Sequence, residues 1–269
     1  MERTITAGEI DLAILEAGAG GRPLLLVHGF CGAKEDFAWH VDDLAAAGWH
    51  VVAPDLRGHG SSSKPDEGYG FDHLTGDVLA LVDALGWDRF ALLGHSMGGV
   101  VAQHVALAAQ HRLTALVLMD TTSGGAPVEE DVMRVGIAIA REQGMEALLA
   151  AMKEAAPLST PAARRLEETI DGWVEANDQK FLRCCAAMFA GALESWFELP
   201  DRDLSPIDVP TLVIVGEQDE PFVAGSHAMA RAIDGARIEV VMDAGHSPQV
   251  EAPDAWRKTL LTFLDDVVD

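Results

Sequence analysis

Cysteine, cationic side chains and long apolar runs are all scarce in this 269-residue sequence. Three cysteines cannot build a disulfide framework, and the adjacent pair Cys184-Cys185 has neither zinc-site nor redox-motif spacing. Lys and Arg number 19 against 43 Asp and Glu, a formal net charge of −24. So few cations argue against nucleic acid and anionic membrane surfaces as partners, because phosphate binding needs clustered Lys and Arg. No apolar stretch approaches the roughly 18 residues of a membrane span. The opening Met1-Glu2-Arg3-Thr4 lacks the basic-then-apolar order of a signal peptide. Repeats, low-complexity tracts and polar linkers are missing too. The expectation is a soluble cytoplasmic protein, monomer or homodimer, that acts on a small molecule.

Two cofactor signatures are also missing. Gly18-Ala19-Gly20-Gly21 lacks the Gly-x-Gly-x-x-Gly register of a dinucleotide site and leads into a strand, and no His-x-x-x-His spacing occurs. The chemistry is expected to need no cofactor and no metal.

Hydrophobic residues make up 49% of the chain and charged residues 23%, which excludes a disordered or fibrous protein. Short β-branched runs alternate with amphipathic stretches, the pattern of an α/β fold with a mostly parallel sheet flanked by helices. Strands are expected at 24–27, 50–53, 90–93, 115–119, 212–215 and 238–242, after a hairpin or edge pair over 5–15. Leu74, Val78, Leu81, Val82 and Leu85 share one helical face, with Asp72 placed to cap its start and Gly86 its end. Trp256, Leu260, Phe263, Leu264 and Val267 repeat the spacing after Pro253. Between about 121 and 210 the strand pattern stops, and helical stretches separated by Gly144, Pro157, Pro161 and Gly172 replace it. The expected organisation is a core of residues 1–120 and 211–269 with a helical cap, 121–210, laid over the C-terminal edge of the sheet, where open α/β sheets bind ligands.

The most informative segment is Phe90-Ala91-Leu92-Leu93-Gly94-His95-Ser96-Met97-Gly98-Gly99. An apolar strand enters Gly-x-Ser-x-Gly and a helix follows, the setting of a nucleophile elbow with Ser96 at its tip. Serine needs a base, and His246 stands just past the last expected strand in Ala244-Gly245-His246-Ser247-Pro248. Asp219, after the strand 212–215, is the preferred partner for the imidazole, since Ser96, Asp219 and His246 then follow the chain order of such elbows. Asp120, Glu217 and Glu220 are the rivals. Oxyanion donors are expected at the Met97 N–H and, on the loop His28-Gly29-Phe30-Cys31-Gly32, at the Phe30 N–H. His28 and His95 stand at the edge of the site, where their neighbours place them as orienting or packing groups, and both are also candidates for substrate contact. Cys31 reads as a packed residue, not a nucleophile. The 121–210 stretch carries Met133, Met145, Met152, Trp173, Phe181, Met188, Phe189, Trp196 and Phe197. Most should pack helices together, while some, with Trp173, Met188 and Trp196 as candidates, should line an apolar pocket.

Taken with Asp55-Leu56-Arg57-Gly58-His59-Gly60-Ser61-Ser62, these segments make the chain resemble the α/β-hydrolase fold superfamily over essentially its whole length. The resemblance implies that the Asp55 to Ser62 loop is architectural. Haloalkane dehalogenases and epoxide hydrolases resemble the chain in several loops but use Asp as nucleophile, where this chain has Ser96. Carbon–carbon bond hydrolases share the Ser-Met-Gly-Gly elbow, yet have a more Gly- and Pro-rich oxyanion loop and an aromatic residue after the histidine. The pattern resembles carboxylesterases and enol-lactonases more closely, with cofactor-free haloperoxidases a variant of the same site. The implied activity is hydrolysis of a small to medium apolar carboxylic ester through an acyl-serine. The alternatives are carbon–carbon bond or lactone hydrolysis, or ligand binding on a retired hydrolase scaffold.

Overall fold

The computed structural model describes residues 1–155 and 160–268, so Pro157, expected to separate two helices, lies outside the described residues. The chain opens with a hairpin, β1 (Glu2–Ala7) and β2 (Ile10–Ala17), and continues through β3 (Arg22–Val27), α1 (Val41–Ala46), β4 (Trp49–Pro54) and α2 (Phe71–Ala84). Then follow β5 (Phe90–His95), α3 (Met97–Ala109) and β6 (Leu113–Met119). Five helices come next: α4 (Glu130–Gln143), α5 (Met145–Ala155), α6 (Pro161–Thr169), α7 (Trp173–Leu182) and α8 (Ala186–Phe197). The chain closes with β7 (Thr211–Gly216), α9 (Glu220–Ala232), β8 (Arg237–Val241), α10 (Pro248–Glu251) and α11 (Pro253–Val267).

The eight strands form one sheet in the order β1-β2-β4-β3-β5-β6-β7-β8. Pairings of β1 with β2 and of β2 with β4 are antiparallel, and the other five are parallel. Side chains alternate between faces along a strand, and this divides the interior into two cores. Leu25, Val27, Leu92, Leu116 and Leu118 join Leu74, Val78 and Val101 of α2 and α3. Leu24, Leu26, Leu93, Val117 and Met119 join Leu44 of α1 and Trp256, Leu260 and Leu264 of α11 on the other face. Each fully buried leucine stabilises the fold by about 1.5–3 kcal/mol, so a strand read at the wrong register would lose both cores at once.

The expected strands agree with the observed ones to within about two residues at each end. One helix start differs. Helix α2 begins at Phe71, with Gly70 as its N-cap, and Asp72 falls in the first turn without capping it. Gly86, at φ 73°, ends that helix as expected. The separators Gly144 and Gly172 both lie at positive φ, and Pro161 opens α6.

Topology sets the position of the site. From β3 the chain passes to β4 on one side and then crosses to β5 on the other, so the connections diverge between the adjacent strands β3 and β5. The loop after β3 carries Phe30 and the turn after β5 carries Ser96, facing the crevice where open α/β sheets bind ligands.

Candidate active site

Ser96 joins β5 to α3 at φ 53° and ψ −118°, a conformation that L-residues rarely adopt. Its N–H donates to the Met119 carbonyl at 2.8 Å, and its carbonyl accepts from Thr121 Oγ1 at 2.7 Å and the Gly99 N–H at 2.8 Å. The flanking glycines are needed for close approach. A Cβ on Gly94 would stand 2.2 Å from the Gly98 carbonyl oxygen, and one on Gly98 would stand 2.5 Å from those of Val27 and His28. The Met97 amide opens α3, where it has no intrahelical acceptor. Phe30, on the loop after β3, lines both cavities with Ser96 and precedes Cys31 at φ 54°. Burial pushes the Cys31 thiol well above its ordinary pKa, which suits a packed residue better than a nucleophile.

His246 follows β8 and directs Nδ1 to Asp219 Oδ2 at 2.8 Å. Asp219 is the N-cap residue of α9 and is buried, whereas the imidazole is 39% exposed on its side chain and open to the cavity. Several groups hold that ring in place. Phe222 lies 4.6 Å from it, centroid to centroid, and His95 lies 5.0 Å away. His95 Nε2–H donates to the His246 carbonyl at 2.6 Å. Burial and the neighbouring His246 lower the His95 pKa to about 3, so it stays neutral. Ser96 and His246 form no direct hydrogen bond, but both line the same two cavities. Nucleophile–base contacts of this kind often tighten only when substrate is bound.

Asp120, at the end of β6, sits behind Asp219. Its Oδ1 accepts from the Gly216 N–H at 2.9 Å, and Oδ2 has no partner apart from the abutting carboxyl. Burial and then the Asp219 charge push Asp120 well above the ordinary carboxylate range. Two carboxyls this close cannot both ionise readily, which favours a protonated Asp120 facing Asp219. Among the described residues Asp120, Asp219 and His246 are the one trio whose ligand atoms approach a metal-binding spacing, within 4.8 Å. The hydrogen bonds to Gly216 and His246 already engage both acids. Glu217, a rival at the sequence level, instead accepts from the Asp243 N–H.

Two cavities meet at Phe30, Cys31, Ser96 and His246. One, of about 430 Å³, is apolar, with Met133, Met152, Phe181, Phe189, Trp196 and Phe222 in its wall. The other, of about 400 Å³, is mixed but much the more polar of the two, with Asp36, Asn177, Lys180 and Glu251 beside Leu166, Trp173 and Val174.

Two residues taken as substrate contacts lie elsewhere. His28 is fully buried and lines neither cavity. Its Nδ1–H donates to the Gly29 carbonyl at 2.8 Å and its Nε2 accepts the Leu56 N–H at 3.0 Å, so it braces the oxyanion loop. Met188 is also fully buried, at the positions a Cβ on Gly58 would need, and packs α8 onto the core. By contrast Trp173 and His95 line the polar cavity, and Trp196 the apolar one.

Other groups escaped the sequence. Glu251 accepts from the Gly245 and Ser247 amides at 2.7 and 3.1 Å, shaping the loop that carries His246. Gln218 Oε1 accepts the Ala162 N–H, and Arg165 donates to the Asp243 carbonyl, so α6 is tied to the residues flanking the acid and the base. A glutamate five residues past the histidine, at the end of a short helix, was the one available signal for the first of these.

Comparison with known proteins agrees with this architecture. The sequence profile of the alpha/beta hydrolase fold family matches residues 22–253. Epoxide hydrolase A of Mycobacterium tuberculosis is 30% identical over 98% of this chain and 97% of that protein. The enol-lactonase of Burkholderia xenovorans LB400 superposes with a TM-score of 0.86 at 27% identity, covering 98% of this chain and 100% of that one. A thermophilic esterase of Thermogutta terrifontis superposes with a TM-score of 0.85 at 28% identity, covering the whole of both chains. The sheet order, the elbow after β5 and a family match that runs from β3 to the start of α11 all lead to one assignment: this chain belongs to the alpha/beta hydrolase fold family.

Proposed function

We propose that the protein hydrolyses carboxylic esters through an acyl-Ser96 intermediate, with His246 as base and Asp219 as its partner. The observation that carries this reading is the 2.8 Å Asp219–His246 hydrogen bond behind a site that His246 shares with a serine held at the tip of a strained turn. Asp219 accepts from Nδ1–H and so leaves Nε2 free to take the Ser96 proton. The serine oxygen attacks the ester carbonyl, and the Phe30 and Met97 amides hold the resulting oxyanion. Imidazolium returns the proton to the departing alcohol. Water, deprotonated by the same Nε2, then attacks the acyl-serine, and the acid leaves as Ser96 regains its hydrogen.

Residues 121–210 act in this reading as a cap whose apolar wall receives a small to medium hydrocarbon group. The serine at position 96 supports an acyl-enzyme over the aspartate-based chemistry that the resemblance associates with epoxide hydrolases. Likeness to an enol-lactonase favours one second reading, a cyclic ester opened by the same groups. No helix among the described residues is long and apolar enough to cross a membrane. Three free thiols support a reducing, cytoplasmic setting.

The test is intact-protein mass after treatment with a fluorophosphonate. The wild type should gain one adduct and Ser96→Ala none; an unmodified wild type ends the reading.

A further inference from the structure

The two cavities differ in chemistry as well as position. The one between α4, α5 and α8 is walled by methionine, phenylalanine, leucine and tryptophan side chains. Four carboxyls line the one bounded by α6, α7 and α10: Asp36, Glu167, Asp178, which pairs with Lys153 from outside the wall, and Glu251, which accepts from the Gly245 and Ser247 amides. Among the described residues in that wall, Lys180 is the one cation, and it is already engaged, with Nζ 2.6 Å from Asp36 Oδ1. Asp36 also accepts the Ala33 N–H at 3.1 Å. Burial alone would raise the Asp36 carboxyl, but Lys180 and these contacts hold it below the ordinary range, so the pair stays ionised and mutually satisfied. Trp173 in the same wall offers an aromatic face, which attracts cations.

Chemistry at Ser96 decides which part of an ester belongs on which side. The acyl group stays on the serine while the alcohol departs, and water must then enter the vacated space beside His246. A polar cavity admits that water and an apolar one resists it. Building on the acyl-serine reading, we propose that the substrate is a two-part ester: its hydrocarbon acyl group fills the apolar cavity, and its alcohol, uncharged and polar or cationic, occupies the polar cavity, which rejects alcohols bearing a carboxylate. The net charge of −24 acts in the same direction, repelling anions before they arrive.

Matched hexanoate esters of ethylene glycol (neutral), choline (cationic) and glycolate (anionic) test this on the intact protein. At low salt, kcat/KM for the anionic ester should be at least about tenfold below that of the neutral one, and the gap should narrow in 0.5 M NaCl as the charges are screened. The choline ester should match or exceed the neutral ester and lose its advantage in salt. Asp36→Asn, which keeps the acceptor for the Ala33 amide but releases Lys180, should raise the anionic-to-neutral ratio at least about fivefold. The salt series on wild type needs no variant and stands even where that substitution folds badly. Fluorophosphonate labelling with equal turnover of neutral and anionic esters overturns this inference alone. Absence of both labelling and ester turnover overturns the acyl-serine reading and this inference with it.

Discussion

Replacing Asp219 by asparagine separates the charge of that residue from its shape. The carboxylate lies against His246 Nδ1 at 2.8 Å and is nearly inaccessible to solvent. With charge centres about 4 Å apart and an effective dielectric near 20, it stabilises the imidazolium by about 4 kcal/mol. The imidazole is partly exposed, and solvent screening reduces this to about 2–3 kcal/mol, or roughly 10²-fold in kcat. A second effect comes from behind. Asp120 offers its proton to the residue at 219, so the oxygen of the new amide turns toward Asp120 and its NH₂ toward Nδ1. That fixes the proton of the imidazole on Nε2, where it can no longer accept from Ser96, and the loss approaches about 10⁴-fold. Asp219→Asn combined with Asp120→Ala frees the amide to rotate and should recover part of that loss. Steady-state kcat on a neutral ester compares these proteins with wild type and with Asp120→Asn. Should Asp219→Asn keep more than about a tenth of wild-type kcat while Asp120→Asn loses activity, the two acids have been given each other's roles.

Asp120 also bears on stability. Its folded pKa is raised, whereas the unfolded value is about 3.9, so the fold binds a proton that the unfolded chain has released. The stability from that proton is complete below pH of about 4 and is lost as pH rises toward the folded value. Asp120→Asn cannot ionise, and its urea midpoint should fall less than that of wild type between pH 5 and pH 8.5; equal falls would place the charge elsewhere. In the apolar cavity, a Cβ on Gly136 would stand 3.5 Å from Leu148 Cδ1, an ordinary contact. Gly136→Leu should therefore fold and fill the cavity, lowering kcat/KM for octanoate esters at least about tenfold relative to acetate esters. An unchanged ratio would remove the acyl group from that side.

Much of this arrangement was legible because local rules coincide with tertiary ones. The run 90–99 combines an apolar, leucine-bearing strand, the closely approached Gly94 and Gly98, and a helix start, and each is demanded by the same turn. Asp219 and His246 follow strands, so knowing that the sheet is parallel already brings them to one edge. The contacts across the cap were not legible. Lys180 meets Asp36 from 144 positions away in the sequence, and no periodicity encodes that meeting. Helical spacing marks Met188 and Met133 alike as apolar, yet one is sealed against Gly58 and the other opens onto a cavity. His28 packs and orients the loop as its neighbours imply, but it does not reach the substrate side, for a related reason. Its place beside the oxyanion loop could be read, but the direction of its ring depends on the Leu56 amide from the next strand's loop.

The backbone at Ser96 has one last implication. Holding a residue with a Cβ at φ 53° disfavours the native state by about 1–3 kcal/mol, whereas glycine tolerates that geometry at a loss of about 0.5–1 kcal/mol of chain entropy. Ser96→Gly should thus melt about 2–4 °C above wild type, though it lacks the proposed nucleophile. On the acyl-serine reading, the working form therefore runs permanently at a thermal disadvantage to its own dead variant.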